Sequence, residues 1–184
     1  MEPSSFDILA PDLPVVFCGI NPSMRAAASG HNFGSASNRF WPVLHLSGFT
    51  PERISAQEDR RLLAFGCGIT AAASRPTRSA GELSGHELRN SGAELRAKVE
   101  HFRPELVAFL GKAAYEAISG SNVDWGRQAS RFGGAAVWIL PNPSGLNRSF
   151  SLSDLVEAYT ALRTACASSL ARWMAQGSLG NAPR

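Results

Sequence analysis

Residues 14–23 read PVVFCGINPS, and this stretch decides the fold. The apolar run Val15–Gly19 is short and is bounded by proline and glycine, which is typical of a strand covered on both faces of a sheet. Three further runs share this character: Gly68–Ala72, Leu106–Leu110 and Ala136–Leu140. Gly68–Ala72 is the weakest of the four, because alanine has little β preference. The sequence therefore predicts four buried strands.

Helical patterns lie between these runs, with apolar residues at spacings of three and four and recognisable ends. The predicted helices follow Asn38, follow a Ser55–Glu58 capping box, cover Gly85 to Phe102 and Lys112 to Ile118, and begin at Ser151–Ser153. Strands that alternate with helices predict the α/β class, as a three-layer α/β/α sandwich with a four-stranded parallel sheet. We expect one domain over residues 7–173, with loose termini at 1–6 and 174–184.

The composition excludes several classes of protein. The 184 residues are 44% hydrophobic and 18% charged, which is incompatible with wholesale disorder. No apolar run is long enough to span a bilayer and the N-terminal residues include no basic leader, so we expect no membrane association and a cytoplasmic location. Three widely spaced cysteines, Cys18, Cys67 and Cys166, fit neither a disulfide framework nor a CxxC metal site. We therefore expect no metal and no cofactor.

The net charge of +3 arises from 18 basic and 15 acidic residues, and of the basic ones only Lys98 and Lys112 are lysine. The planar fork of arginine suits phosphates and base edges, so this bias is compatible with nucleic-acid binding. A GC-rich genome explains the same bias, and from composition alone we favour that explanation. Net charge does not decide the function.

Two strand exits carry the same tripeptide. The first strand leaves into Asn21-Pro22-Ser23 and the fourth into Asn142-Pro143-Ser144. Ligands of parallel sheets bind at the carboxyl ends of the strands, so we expect both loops at one site. Neither loop contains Asp, Glu, His or Cys. An amide can orient a water without deprotonating it, so the substrate must have a good leaving group, as in an N-glycosidic bond to an acidic pyrimidine.

Other catalytic motifs do not match. Ser23 and Ser144 are not in a G-x-S-x-G turn, which argues against an acyl-transferring hydrolase. Residues 66–68, Gly-Cys-Gly, lack the third glycine of a dinucleotide fingerprint, and no Walker motif is present.

Seven segments, in order along the chain, carry a resemblance to a known family. They are residues 19–22, 38–41, 66–70, 75–77, 110–112, 142–148 and 155–159. The chain resembles the mismatch-specific uracil-DNA glycosylases, bacterial relatives of thymine-DNA glycosylase in the uracil-DNA glycosylase superfamily, over roughly residues 7–166. The resemblance implies base-excision repair: hydrolysis of the N-glycosidic bond of uracil, damaged pyrimidines such as ethenocytosine and, weakly, thymine. The implied partner is double-stranded DNA with a G:U or G:T mismatch, bound by a monomer that leaves an abasic site.

Residue by residue, the resemblance implies that Asn21 positions the attacking water, Phe33 stacks on the flipped base and Leu146 fills the gap in the duplex. Each role is physically reasonable, because a base in a duplex must be extruded and an apolar wedge replaces its stacking. The expected base-binding residues are Ile20, Pro22, Ser23, Phe33, Asn142 and Ser144. The expected DNA-binding residues are Lys112, Gly145, Leu146, Asn147 and Arg148.

Several alternatives stay open. Lys112 is either a phosphate contact or a solvated helix start, and Arg148 either contacts DNA or braces its own loop. Ser23, Ala71 and Asn147 depart from the family pattern; Ala71 leaves no auxiliary charge there, so we expect slow turnover and uracil favoured over thymine. A related glycosylase acting on single-stranded uracil or hypoxanthine, and a catalytically silent DNA-damage binder, are the rival functions. The iron–sulfur branch needs four cysteines and is excluded.

Overall fold

Five strands form a single mixed sheet in the computed structural model, which describes residues 6–179. The strands are β1 (Val15–Gly19), β2 (Cys67–Ala71), β3 (Leu106–Leu110), β4 (Gly126–Phe132) and β5 (Ala135–Leu140). Their order across the sheet is β2-β1-β3-β5-β4. β2, β1, β3 and β5 are mutually parallel, and they correspond to the four predicted strands within one residue at each end.

β4 corrects the prediction of a purely parallel, four-stranded sheet. It pairs with β5 in the antiparallel direction and forms one edge of the sheet, with an irregular register between Arg127 and Arg131. Its sequence GRQASRF has no apolar face, and most of its residues are exposed. A strand of this kind gains its stability from pairing with β5 rather than from burial, so a search for apolar runs misses it.

Helices cover both faces of the sheet. They are α1 (Met24–Ser29), α2 (Phe40–Leu46), α3 (Gly85–Phe102), α4 (Lys112–Ser119), α5 (Leu152–Ala165) and α6 (Ala167–Leu179), with 3₁₀ segments at Ala56–Phe65 and Ala80–Glu82. No helix within residues 6–179 is both long and apolar enough to cross a membrane.

The predicted helix starts are mostly confirmed. The Ser55–Glu58 capping box is present, although it opens a 3₁₀ segment. The Asn38 side chain accepts from the Phe40 N–H, but Arg39 takes the N-cap position of α2. Residues 174–179, predicted to belong to a loose terminus, form the last turns of α6. Residues 1–5 and 180–184 lie outside the described part of the chain.

Two apolar clusters confirm the three-layer arrangement. On one face Phe17 of β1 packs among α2, α5 and the 3₁₀ segment Ala56–Phe65, where Tyr159 is fully buried. On the other face Phe109 of β3 packs against Val99 and Tyr115 from α3 and α4. The sheet is therefore fixed from both sides, and the loops that leave β1, β3 and β5 emerge together at one edge.

Candidate active site

A cavity of about 450 Å³ opens at the carboxyl ends of the parallel strands. Nine of the predicted site residues line it: Ile20, Asn21, Pro22, Ser23, Phe33, Asn142, Ser144, Gly145 and Leu146. The two Asn-Pro-Ser loops are thus brought together, as their positions after strands predict. Lys112, Asn147 and Arg148 do not line the cavity and lie beyond its rim.

The Asn21 side chain is anchored through its amide nitrogen. Nδ2 donates to the Arg75 carbonyl oxygen and to Thr77 Oγ1, both at 2.7 Å. Both N–H bonds are therefore committed, which fixes the amide plane and distinguishes its oxygen from its nitrogen. Within residues 6–179, Oδ1 accepts no hydrogen bond, so it is available as an acceptor at the cavity.

The loop after β1 pairs with residues 75–77 like a short strand. Thr77 N–H donates to the Pro22 carbonyl at 3.2 Å, and Met24 N–H donates to the Thr77 carbonyl at 3.1 Å. Pro22 has no N–H, so of the residues just after Asn21 only Ser23 has a backbone N–H without an acceptor in the described part of the chain. This N–H is the candidate donor to a negatively charged leaving base.

The Ser23 hydroxyl has a structural role. Ser23 is the N-cap of α1, and its Oγ accepts from Ala26 N–H at 3.0 Å. The serine that departs from the family pattern therefore stabilises the first turn of α1 while its backbone borders the cavity.

Phe33 presents one ring face to the cavity and the other to the core. Its ring centroid lies 4.1 Å from that of Phe40, and a Cβ built on Gly19 would lie 3.8 Å from Phe33 Cζ. The backbone of Phe33 has φ +53°, a left-handed conformation that is unfavourable for an aromatic residue. Its neighbour Asn32 is held by Asp59 Oδ2 at 3.1 Å and by Trp41 Nε1 at 3.3 Å, and these bonds maintain the strained geometry.

Arg39 braces the loop that follows β5. Its Nη2 donates to the carbonyls of Ser144 at 3.1 Å and Asn147 at 2.8 Å, and Nη1 donates to the Phe150 carbonyl at 2.6 Å. Nε and the backbone N–H both donate to the Pro143 carbonyl. One guanidinium therefore binds four carbonyls of the loop and holds its backbone in one conformation.

Leu146 lies at the tip of this braced loop. It is 76% exposed, the largest fraction among the large apolar residues whose burial the structure describes. Its N–H donates to Ser144 Oγ at 3.3 Å, so its backbone is anchored while its side chain is in solvent. An anchored, exposed leucine beside a cavity has the geometry that a wedge requires.

Asn147 and Arg148 differ in what they contact. The Asn147 amide is used within the loop, since Nδ2 donates to the Asn142 carbonyl at 2.9 Å and Oδ1 accepts from Ser149 N–H at 3.2 Å. Arg148 is exposed and forms no hydrogen bond or ion pair with residues 6–179, so it does not brace its own loop. DNA contact by either residue stays a prediction.

Gly145 sits where the loop touches the segment before α2. A Cβ built on Gly145 would lie 2.5 Å from Ser37 Cβ and 2.6 Å from its carbonyl oxygen, so the backbone would have to shift. We expect Gly145→Ala to displace Leu146 and to lower the unfolding free energy by about 1–3 kcal/mol. Thermal melting measures this loss. Gly177→Ala is the control, because its Cβ would meet nothing within 4 Å; equal behaviour of the two variants would contradict this account.

The cavity lining contains no Asp, Glu, His or Cys among the described residues, as the loop sequences predict. Two arginines that the sequence analysis does not single out, Arg25 and Arg78, also line it and make its surroundings positive. Cys18 lies in the adjacent strand, but burial raises the pKa of its thiol, so it is not a nucleophile at neutral pH. The described residues of the cavity therefore offer amides, backbone groups and guanidinium charge, and none of them is a general base.

An ion pair contacts the wall of the cavity on the β2 side. Lys98 Nζ lies 2.9 Å from Asp7 Oδ2, and both groups contact the hydroxyl of Thr70, which lines the cavity. Ala71 also lines the cavity. Because the Lys98 charge is compensated by Asp7, this pair supports the wall rather than supplying a free charge.

These features define an α/β protein whose ligand cavity lies at the strand carboxyl ends beside an exposed apolar loop tip. The family model described as the uracil DNA glycosylase superfamily matches residues 6–163, and the chain belongs to that superfamily. Its members are DNA glycosylases, hydrolases that act on uracil in base-excision repair, and DNA is the partner that this class implies. The predicted superfamily is confirmed.

Proposed function

We propose that this protein removes uracil mispaired with guanine from double-stranded DNA and leaves an abasic site. Ethenocytosine is a further substrate and thymine a poor one. The observation that carries the proposal is the position of Leu146, exposed on a braced loop at the rim of the cavity that contains Asn21. The same proposal has the protein acting as a monomer, without a metal or cofactor, in the cytoplasm beside the nucleoid.

The wedge supports a duplex substrate. When a nucleotide leaves the stack, the space behind it costs stacking energy that an inserted apolar side chain recovers. A single-stranded substrate has no such space, so an enzyme restricted to it has no need of an anchored leucine at this position. The Arg39 bonds support the same interpretation, because they hold the loop rigid without DNA.

The cavity chemistry supports a reaction that depends on the leaving group. The bond between C1′ and N1 breaks with its electron pair departing on the base, and water then adds to the cation at C1′. Asn21 Oδ1 accepts a hydrogen bond from that water and orients it, while the water proton passes to the departing base or to solvent. Ser23 N–H, with Arg25 and Arg78 nearby, stabilises the anionic base.

The lack of Asp, Glu, His and Cys among the described lining residues supports a preference for mispaired uracil. Without a general base among those residues, the enzyme gains little rate from proton transfer, which commonly contributes a factor of about 10²–10⁴. The favoured substrates are therefore those in which extrusion of the nucleotide from the duplex costs little free energy and the base is a good leaving group. A G:U pair meets both conditions, whereas thymine is the poorer leaving group because its methyl group donates electrons to the ring.

One assay panel tests the proposal. Labelled duplexes with G:U, A:U and G:T pairs, and a single strand with uracil, are incubated with the protein and then cleaved with alkali at abasic sites. We expect scission to be fastest for G:U, slower for A:U and single-stranded uracil, and slowest for G:T. Absence of scission in every case would leave a DNA-damage binder, fastest scission of the single strand would indicate the other glycosylase type, and rapid G:T scission would contradict the leaving-group argument.

A further inference from the structure

The antiparallel direction of β4 brings an unassigned aromatic residue to the DNA-binding edge. Gly126, at the start of β4, pairs with Ile139 near the end of β5, whereas Phe132 pairs with Ala135 at its beginning. The start of β4 therefore lies at the edge where the parallel strands end. Trp125 immediately precedes β4, so it shares this edge with the cavity.

Trp125 is unusual in its exposure. It is 45% exposed, whereas Trp41, which has a place in the core, is 6% exposed. Large apolar side chains that are held in solvent at a functional edge commonly belong to an interaction surface.

The Trp125 side chain is nonetheless held in place. The ring of Phe150 meets it edge to face at 5.3 Å and 83°, and Lys112 Nζ lies 4.9 Å from its ring centre. We call these three residues the Trp125 cluster. An aromatic ring fixed in this way loses little conformational freedom when it binds a ligand.

The Trp125 cluster adjoins both ends of the loop that carries Leu146. Phe150 is where that loop meets Arg39, whose Nη1 donates to the Phe150 carbonyl at 2.6 Å. At the other end, Gly111 precedes Lys112, and a Cβ on Gly111 would lie 3.6 Å from the side chain of Asn142. A duplex seated on Leu146 therefore passes close to the Trp125 cluster.

Lys112 supplies the positive charge of this cluster. Within residues 6–179, Lys112 forms no ion pair with a carboxylate, and its described contact is the Trp125 ring. A cation over an aromatic face is attracted to it but keeps its charge available. A free ammonium beside an exposed flat ring is the combination that binds the nucleic-acid backbone, where phosphate and sugar alternate.

We propose that Trp125 is a DNA-contact residue that works together with Lys112. Its indole packs against the sugars of the duplex strand beside the extruded nucleotide, and it holds the Lys112 ammonium against a neighbouring phosphate. The ligand is the backbone of double-stranded DNA, read without regard to sequence. The proposal rests on the glycosylase class of the family and not on the preference for G:U.

The first test measures duplex affinity with an undamaged duplex and with a G:U duplex. Trp125→Ala should weaken binding of both about tenfold, within the range for loss of one aromatic contact, and Trp125→Phe should stay within about threefold of wild type. The concentration of Trp125→Ala that gives half of the maximal single-turnover rate should rise by a similar factor, because the lost contact is to the DNA backbone. Arg131→Met is the control, since it removes a charge from the opposite end of the same strand.

A cycle with Lys112→Met tests whether the two residues act together. If Trp125 orients the ammonium, adding Trp125→Ala to Lys112→Met should weaken duplex binding by less than the tenfold loss that Trp125→Ala causes in the wild-type protein. Full additivity would contradict the joint site, although it would leave a separate contact by Trp125.

A second readout follows the accessibility of tryptophan in the wild-type protein and compares it with Trp125→Phe. Fluorescence quenching by acrylamide should fall when an undamaged duplex is added, and Trp125→Phe should abolish that change. Unchanged quenching together with wild-type affinity of Trp125→Ala would overturn the proposal. Wild-type excision of uracil from G:U in the same preparation separates this failure from a failure of the proposed function.

Discussion

We expect Asn21→Ala to lower the single-turnover rate of uracil excision by a factor on the order of 10²–10³, comparable to the loss of one oriented polar group in other hydrolytic sites. The variant removes an acceptor in the cavity whose orientation is fixed by two hydrogen bonds of 2.7 Å. The affinity for a G:U duplex should change little, since Leu146 and the arginines that line the cavity are intact. Rapid-quench assays at saturating enzyme measure the rate, and binding titrations measure the affinity.

Two further variants test whether the rate depends on the orientation of the Asn21 amide or only on its presence. Thr77→Val removes one anchor but keeps Asn21, so the rate should fall by an intermediate factor of about ten, in line with one lost hydrogen bond. Asn21→Asp places a carboxylate oxygen against the Arg75 carbonyl, which repels it, so aspartate should not restore the rate despite its stronger basicity. Full activity of Asn21→Ala would show that another group positions the water.

The fold was predictable where burial determines the sequence. β1, β3 and β5 lie under helices on both sides, and such strands must be short apolar runs with breakers at their ends. β4 is an edge strand whose stability comes from pairing with a neighbouring strand, so its amino-acid sequence resembles that of a loop. The error mattered for function, because the direction of β4 is what brings Trp125 to the site edge.

The candidate site was predictable to the extent that its residues follow strand ends. Asn21 and Asn142 could be expected at one edge, and both line the same cavity. The residues that hold them could not be expected, because Thr77 is 56 positions from Asn21, and Arg39 is more than 100 positions from the carbonyls it binds. Asn38–Trp41 and Arg75–Thr77 do stand out as segments of the family resemblance, but a match to a motif does not say what a residue contacts.

The contacts of Phe33 are a further feature that the sequence does not predict. A loop context predicts an exposed aromatic, and the ring does border the cavity. Its second face, however, packs on Phe40, and its left-handed backbone depends on Asp59 and Trp41. A single aromatic thus serves the core and the cavity, which no local pattern distinguishes.

Arg39→Leu should lower excision from a G:U duplex by a factor of about 10–100, because lost preorganisation of a binding loop costs roughly what the ordered contacts provide. The substitution leaves four carbonyls of the loop without the guanidinium, so Leu146 is presented only part of the time. Excision of uracil from a single strand should change less than threefold, since that substrate needs no wedge. Arg39→Lys should not rescue the duplex rate, because one ammonium cannot reach carbonyls spread over residues 143–150.

A double-mutant cycle of Arg39→Leu with Leu146→Ala tests whether Arg39 acts by positioning Leu146 as the wedge. If it does, Leu146→Ala alone should show a duplex-specific loss of similar size, and the double variant should be no worse than Leu146→Ala. Arg60→Leu, at an exposed position of the 3₁₀ segment, controls for the loss of one arginine. Equal losses on both substrates would mean that Arg39 supports the cavity as a whole, whereas additive losses in the double variant would mean that the guanidinium contacts DNA itself.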